Sequence, residues 1–255
     1  MTEESTEILY RLGEEDRIVG ISGFTVRPAR ARREKPKVAA FTSAKIDRIL
    51  ELEPDLVLGF SDIQAEIAAE LIRRGVEVFV LNHRSVAEIL RTVRVISALV
   101  GATEAGERIV AELEDGLADV RRRAEALPRR PRVYFEEWYD PLISGIRWVS
   151  ELIELAGGED CFPELRGSSL ARGRIIADPG EVARRQPDVI IGSWCGRKFR
   201  PERVIAREGW GEIPAVRGGH VHEIKSALIL QPGPAALTDG VEAIHRIVAA
   251  WAARG

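Results

Sequence analysis

The segment Ser193–Val204, SWCGRKFRPERV, interleaves Trp194, Lys198, Phe199, Arg200 and Arg203 directly after an apolar run. Guanidinium and ammonium groups beside aromatic rings suit a flat ligand that carries carboxylates or phosphates. Arginine meets such groups with two parallel hydrogen bonds, and rings offer stiff apolar area at small entropic cost. Arg27 after Phe24, and Arg147 before Trp148, extend the same kind of field. Cys195 stands beside Arg197 and Lys198, neighbours that lower a thiol pKa; a small residue in a tight turn is the plainer reading, and Cys161 reads as core filler. His220 and His222 share one face of an alternating segment, but Glu223 falls on the opposite face and no metal site is expected there. His83 follows an apolar run and is placed at a strand end, where axial ligation of iron or cobalt is conceivable. Glu136 and Glu137 form a carboxylate pair of the type used in acid–base work. No Ser/His/Asp set, P-loop or Gly-rich dinucleotide turn accompanies them. They read as strand-end acids that balance the basic loop, with one of them inward, and no catalysed reaction is expected.

The elements that must position these groups announce themselves through a repeated phrase. IDRILELEPDLVLGF (46–60) and PGEVARRQPDVIIGSW (179–194) each read as a short helix, a Pro-Asp turn and a strand apolar at every position. Such strands belong to parallel sheets covered on both faces. Ligands in such sheets sit beyond the carboxyl ends of the strands, where Phe60 and Trp194 fall. Residues 1–101 read as one α/β lobe: a helix over 2–13, strands over 17–22, 55–60 and 76–82, a charged loop over 28–36, and Ser43 as the cap of the helix before Pro54. Residues 102–128 read as one rigid amphipathic helix, about 37 Å long at 1.5 Å per residue, with Val110, Leu113, Leu117, Val120 and Ala124 on its apolar face. Residues 129–255 read as a second α/β lobe with strands at RVYFEEW, DVIIGSW and HVHEI and a closing helix through Trp251. The fold class is α/β, two Rossmann-like lobes with parallel sheets joined by one long helix.

Composition narrows the function. The formal charge of −3 over 255 residues gives no bulk basic field for nucleic acid or anionic membrane. No apolar run approaches the roughly 20 residues that cross a bilayer. The start, MTEESTEILY, is acidic and polar and is not a secretory signal, so the chain as written is expected in the cytoplasm. Two cysteines are too few for a disulfide framework.

These elements, in this order, resemble the substrate-binding proteins for vitamin B12, ferric siderophores and haem that serve ABC importers, the family with two α/β lobes joined by a backbone helix. TEILYRLGEEDRIVGISG, AKIDRILELEPDLVLG, RRGVEVFVLNHRSVAEIL, WVSELIELAGGED and DPGEVARRQPDVIIGS carry the resemblance over nearly the whole chain. It implies a binding protein that holds a cobalt corrinoid or an iron chelate in the interlobe cleft, with no covalent cofactor, for delivery to an ABC permease. It implies ligand contacts at Phe24, Phe41, Phe60 and Trp194, with Trp138 and Tyr139 on the same rim, beside the Lys198, Phe199 and Arg200 of the basic loop. It implies permease docking through Asp47 and Glu181. The family usually begins with a strand before the first helix and carries an export leader, neither of which precedes TEILYRLG here; with such a leader the expected place is the periplasm or cell surface. The competing expectations are a cytosolic corrinoid- or iron-chelate-handling enzyme or chaperone, or a sensor module, on the same scaffold.

Overall fold

The computed structural model describes residues 1–254, which divide into two compact units. The first comprises Met1–His83 with Ala87–Glu112, and the second Arg84–Val86 with the chain from Leu113 onward. The boundary falls inside a helix of 23 residues, α6, described below.

The first unit contains α1 (Glu3–Leu12), β1 (Ile21–Ser22), α2 (Ala31–Glu34), β2 (Lys37–Ala40), β3 (Ser43–Ala44), α3 (Ile46–Leu50), β4 (Val57–Phe60), α4 (Ala65–Arg73), β5 (Val78–Leu81), most of α5 (Val86–Leu99) and the start of α6 (Thr103–Glu125). Gly13 closes α1 in the left-handed region, at φ 77°, and its N–H reaches the carbonyls of Leu9 and Tyr10. The helix is buried nearly all round, Glu3, Glu4 and Glu7 included, rather than along one apolar stripe. Three local expectations change. The strand expected over 17–22 shrinks to Ile21–Ser22, because Glu15–Arg17 wind into a 3-10 turn. The charged loop over 28–36 folds in part into α2. Ser43 pairs in β3 instead of capping α3, whose N-cap, Lys45, makes no side-chain cap bond.

The parallel pairs of this unit sit in separate sheets: β1 beside β2, with β3 added antiparallel, and β4 beside β5. A cavity of about 710 Å³ takes lining from both, including Gly20, Val38, Val57 and Leu58. Only β4 matches the doubly covered strand of the sequence reading. β5 has a single neighbour and leaves Phe79 and Val80 exposed on its two faces.

In the second unit the central strand is β6 (Arg132–Tyr139), followed by β7 (Leu142–Ser144), α7 (Arg147–Leu155), β8 (Glu159–Asp160), β9 (Ile175–Ile176), α8 (Gly180–Arg184), β10 (Val189–Gly192), α9 (Pro201–Ile205), α10 (Pro214–Arg217), β11 (Val221–Glu223), α11 (Ser226–Ile229) and α12 (Val241–Ala252). The sheet order is β11-β10-β6-β7-β9, with β8 also on β6. The β11, β10, β6 and β8 pairings are parallel, whereas β7 and β9 add antiparallel, so the sheet is mixed. Every residue of β10 is buried, as an all-apolar strand requires. Tyr134, Ile190, Trp194, Phe199, Val204 and Trp210 belong to one core cluster that covers the sheet. Along α6, Val110, Leu113, Leu117, Val120 and Ala124 are all buried, the stripe that the three- and four-residue spacing demands.

Candidate functional site: an aromatic and cationic wall at the strand ends

Strands β6 and β10 run parallel and in register, Gly192 opposite Glu136, so their carboxyl ends emerge side by side. The chain leaves β10 through Ser193 and Trp194, and Ser193 N–H donates to the Glu136 carbonyl at 2.9 Å. Phe199 folds back over the end of β10. A β-carbon at Gly192 would lie 1.8 Å from the Phe199 ring, so this strand end accepts only glycine beneath that ring.

Four rings then form a ladder. Trp138 lies 5.0 Å from Tyr139, Tyr139 4.5 Å from Trp194, and Trp194 5.0 Å from Phe199, centroid to centroid. The separations and tilts are those of offset and edge-on aromatic contacts. Cations cover its first two rings: Arg197 stands over Trp138 at 5.8 Å and Arg203 over Tyr139 at 5.4 Å. Arg197, Lys198 and Arg203 have no carboxylate partner among the described residues, whereas Arg200 pairs with Glu202 at 3.5 Å. Arg197, Lys198, Arg200 and Arg203 are all exposed.

Beneath the ladder lies a polar anchor. The Glu136 side chain is 0 % exposed. Its Oε1 accepts the Trp194 indole N–H at 2.9 Å and Arg207 Nη2 at 2.9 Å, and its Oε2 accepts Arg207 Nη1 and the Tyr134 hydroxyl. Burial and the adjacent Glu136 carboxylate raise the Tyr134 phenol well above its ordinary range, so it stays a donor. Arg207 also lies over Trp210 at 4.5 Å. The next residue, Glu137, turns to the other face and binds Arg174, a buried arginine that also donates to the Ser144 carbonyl. The inward carboxylate follows from strand alternation. Its partners do not: Arg207 lies 71 positions away and Arg174 lies 37 from Glu137, with no local pattern joining them.

At the strand ends of the first unit, Phe60 sits edge-on to His83 at 5.1 Å. Gln64 latches this corner: Phe60 N–H donates to its Oε1 at 2.9 Å, and its Nε2 donates to the Phe41 carbonyl at 3.1 Å. The fully buried Gln64 has no signal in the sequence. Phe41 is half-buried and Phe24 is 52 % exposed.

The arrangement departs from an open wall of rings. Phe60, Trp194 and Phe199 keep only 5, 3 and 2 % of their surface accessible. They fill space under the strand ends because a large ring next to glycine and the sheet edge buries more apolar area inward than outward. Accessible ring surface comes from the half-buried Trp138, Tyr139 and Phe41 and from Phe24. Trp138 directs its indole N–H to the Asp140 carbonyl at 2.9 Å.

The remaining chemistry-bearing residues fall elsewhere. Cys161 is buried, and burial pushes its thiol up to about 12; Cys195 is exposed and is not disulfide-bonded. The His220 and His222 rings lie 6.1 Å apart, with both imidazoles lowered below their ordinary value by partial burial first and nearby positive groups second. No cluster of three or more metal-ligating side chains occurs among the described residues. Asp47 is exposed at the start of α3, 3.9 Å from Arg74. Glu181, in α8, is engaged by Arg184 and Arg185, whose hydrogen bonds hold its carboxyl below the usual range. No helix is long and apolar enough to cross a membrane among the described residues.

A two-unit α/β chain with these strand ends finds its match in the profile of the periplasmic binding proteins, which covers residues 1–228. The chain belongs to that family. An uncharacterized ABC transporter substrate-binding lipoprotein of Bacillus subtilis is 23 % identical over 247 residues, 93 % of this chain and 75 % of that protein. The vitamin B12-binding protein of Vibrio parahaemolyticus is 24 % identical over 241 residues, covering 93 % and 84 % of the two chains. Among solved structures, the periplasmic haem-binding protein RhuT of Roseiflexus superposes with a TM-score of 0.81 at 23 % identity over 97 % of both chains. The family's members are binding proteins rather than enzymes.

Proposed function

We propose that this protein binds a metal chelate bearing carboxylate or phosphate groups, a cobalt corrinoid or an iron chelate of the haem or ferric-siderophore type, and presents it to an ABC importer. The observation that carries the reading is the Trp138–Tyr139–Trp194 ladder with Arg197 over Trp138 and Arg203 over Tyr139. Ring faces take the apolar body of such a ligand, and arginines without carboxylate partners await its carboxylates or phosphate. Relatives that bind vitamin B12 and haem support the class. On the second unit, Lys198 and Arg200 extend the contact surface and Trp194 and Phe199 support it from below; on the first unit, Phe24 and Phe41 offer ring surface with Phe60 buried beside them. The exposed Asp47 and the acidic Glu181 are the proposed permease contacts, and an exported, periplasmic or surface-anchored location follows from that role.

A thermal-shift screen with cyanocobalamin, haemin and a ferric siderophore tests the reading. A ligand at a hundred times its Kd stabilises the fold by about 2.7 kcal/mol. One of the three probes is expected to raise Tm, and the shift is expected to vanish in Trp138→Ala and to shrink in Arg197→Ala. No shift with any of the probes would remove the proposal.

A further inference from the structure

We propose that Glu136 and Arg207 are positioning residues for the ligand wall: by fixing the Trp194 indole they set the plane of the accessible Tyr139 and Trp138 rings. The inference rests on the ligand-binding reading of that wall. A carboxylate buried to the last atom is costly unless it is paired and hydrogen-bonded, and apolar residues of similar volume would stabilise the core equally well. An apolar filler lacks direction. The indole has one donor and no acceptor, and here that donor meets Glu136 Oε1 at 2.9 Å. Packing alone leaves the last torsion of a tryptophan broad, whereas an acceptor fixed in a sheet selects one plane. The carboxylate is itself fixed from two sides, by the two-pronged Arg207 contact and by the Tyr134 hydroxyl. Arg207 in turn is held over Trp210. Trp194, buried and immobilised in this way, forms the floor under Tyr139 at 4.5 Å, and Tyr139 carries Trp138 at 5.0 Å. The pair, its carboxylate fully buried and its guanidinium largely so, thus determines the attitude of the Tyr139 and Trp138 rings.

The test uses the full chain with haemin, cyanocobalamin and a ferric siderophore as probes. Glu136→Leu combined with Arg207→Met replaces the pair by apolar groups and keeps every aromatic residue. The expected result is a folded protein with an altered near-UV circular dichroism band in the unliganded state. Its affinity for the probe that the wild type binds should be weaker by about tenfold, the loss expected when one hydrogen bond to a charged group is gone. A folded double variant with the wild-type band and wild-type affinity overturns the proposal. Should the double variant fail to fold, Arg207→Lys decides. It retains the charge but loses the two-pronged grip, so the Trp194 indole N–H, identified in proton NMR by its loss in Trp194→Phe, should exchange faster with solvent and probe binding should weaken. Unchanged exchange together with unchanged binding overturns it equally. If the wild type binds none of the three probes, the ligand reading fails, while the unliganded dichroism and exchange measurements still decide whether the pair orients the rings.

Discussion

A β-carbon has no place at Gly192, and this shows how little slack the strand ends possess. Gly192→Ala would drive a methyl group into the Phe199 ring, which lies 1.8 Å from where that carbon must sit. The ring cannot retreat without opening the core around Trp194 and Trp210. Overpacking of this kind costs about 1–3 kcal/mol, so urea denaturation of Gly192→Ala should show a lower midpoint. Phe199→Leu, added to it, should recover part of the loss by vacating the ring's edge. Residue types were legible at this scale: the basic and aromatic loop, one inward carboxylate of the Glu136/Glu137 pair and Cys161 as core filler follow from composition and alternation. Accessibility was not. Whether Trp194 faces a ligand or the core depends on Glu136, Arg207 and Tyr139, which reach it from other segments.

Helix α6 shows the opposite balance. Its apolar stripe predicts the buried face residue by residue, because helical periodicity is a local property and one continuous stripe admits one orientation. Gly116 lies on the exposed side, and a β-carbon there would meet nothing within 4 Å. Gly116→Ala should therefore stabilise the protein by about 1 kcal/mol. That raises Tm by roughly 2–4 °C for a chain of this size, and differential scanning calorimetry would show it; no rise would mean that α6 is not helical through this position. Short elements were harder to read. Ser43 has the residue type of a helix cap, yet it pairs with Ala40 across a two-residue strand. A hydroxyl caps or pairs according to where the neighbouring strand runs, and sequence does not state that.

At the scale of the whole molecule, two histidines contribute a pH response with a definite sign. His220 and His222 have imidazoles lowered by burial, so the unfolded chain binds protons more readily at these sites. Their contribution is fully present above the ordinary imidazole range near pH 6.5 and is lost as pH falls through the lowered values. Glu4, raised to about 7 by burial, acts in the opposite sense over part of the same range, so the comparison must be made against a variant. His220→Asn with His222→Asn should lose less stability than the wild type between pH 7 and about pH 5. Wild type and variant losing the same unfolding free energy between the two pH values, read from denaturant midpoints, would refute the assignment. By itself the sequence determined the α/β class, the long helix, the buried strands β4 and β10 and the family, since each follows from periodicity and from the order of local motifs. Only the tertiary structure decided which rings are floor and which are surface. It alone paired Glu136 with Arg207 and Glu137 with Arg174, and split the first unit's strands into separate sheets. Those outcomes depend on contacts between residues far apart in the chain, where burial and hydrogen-bond geometry choose among partners that look equivalent in sequence.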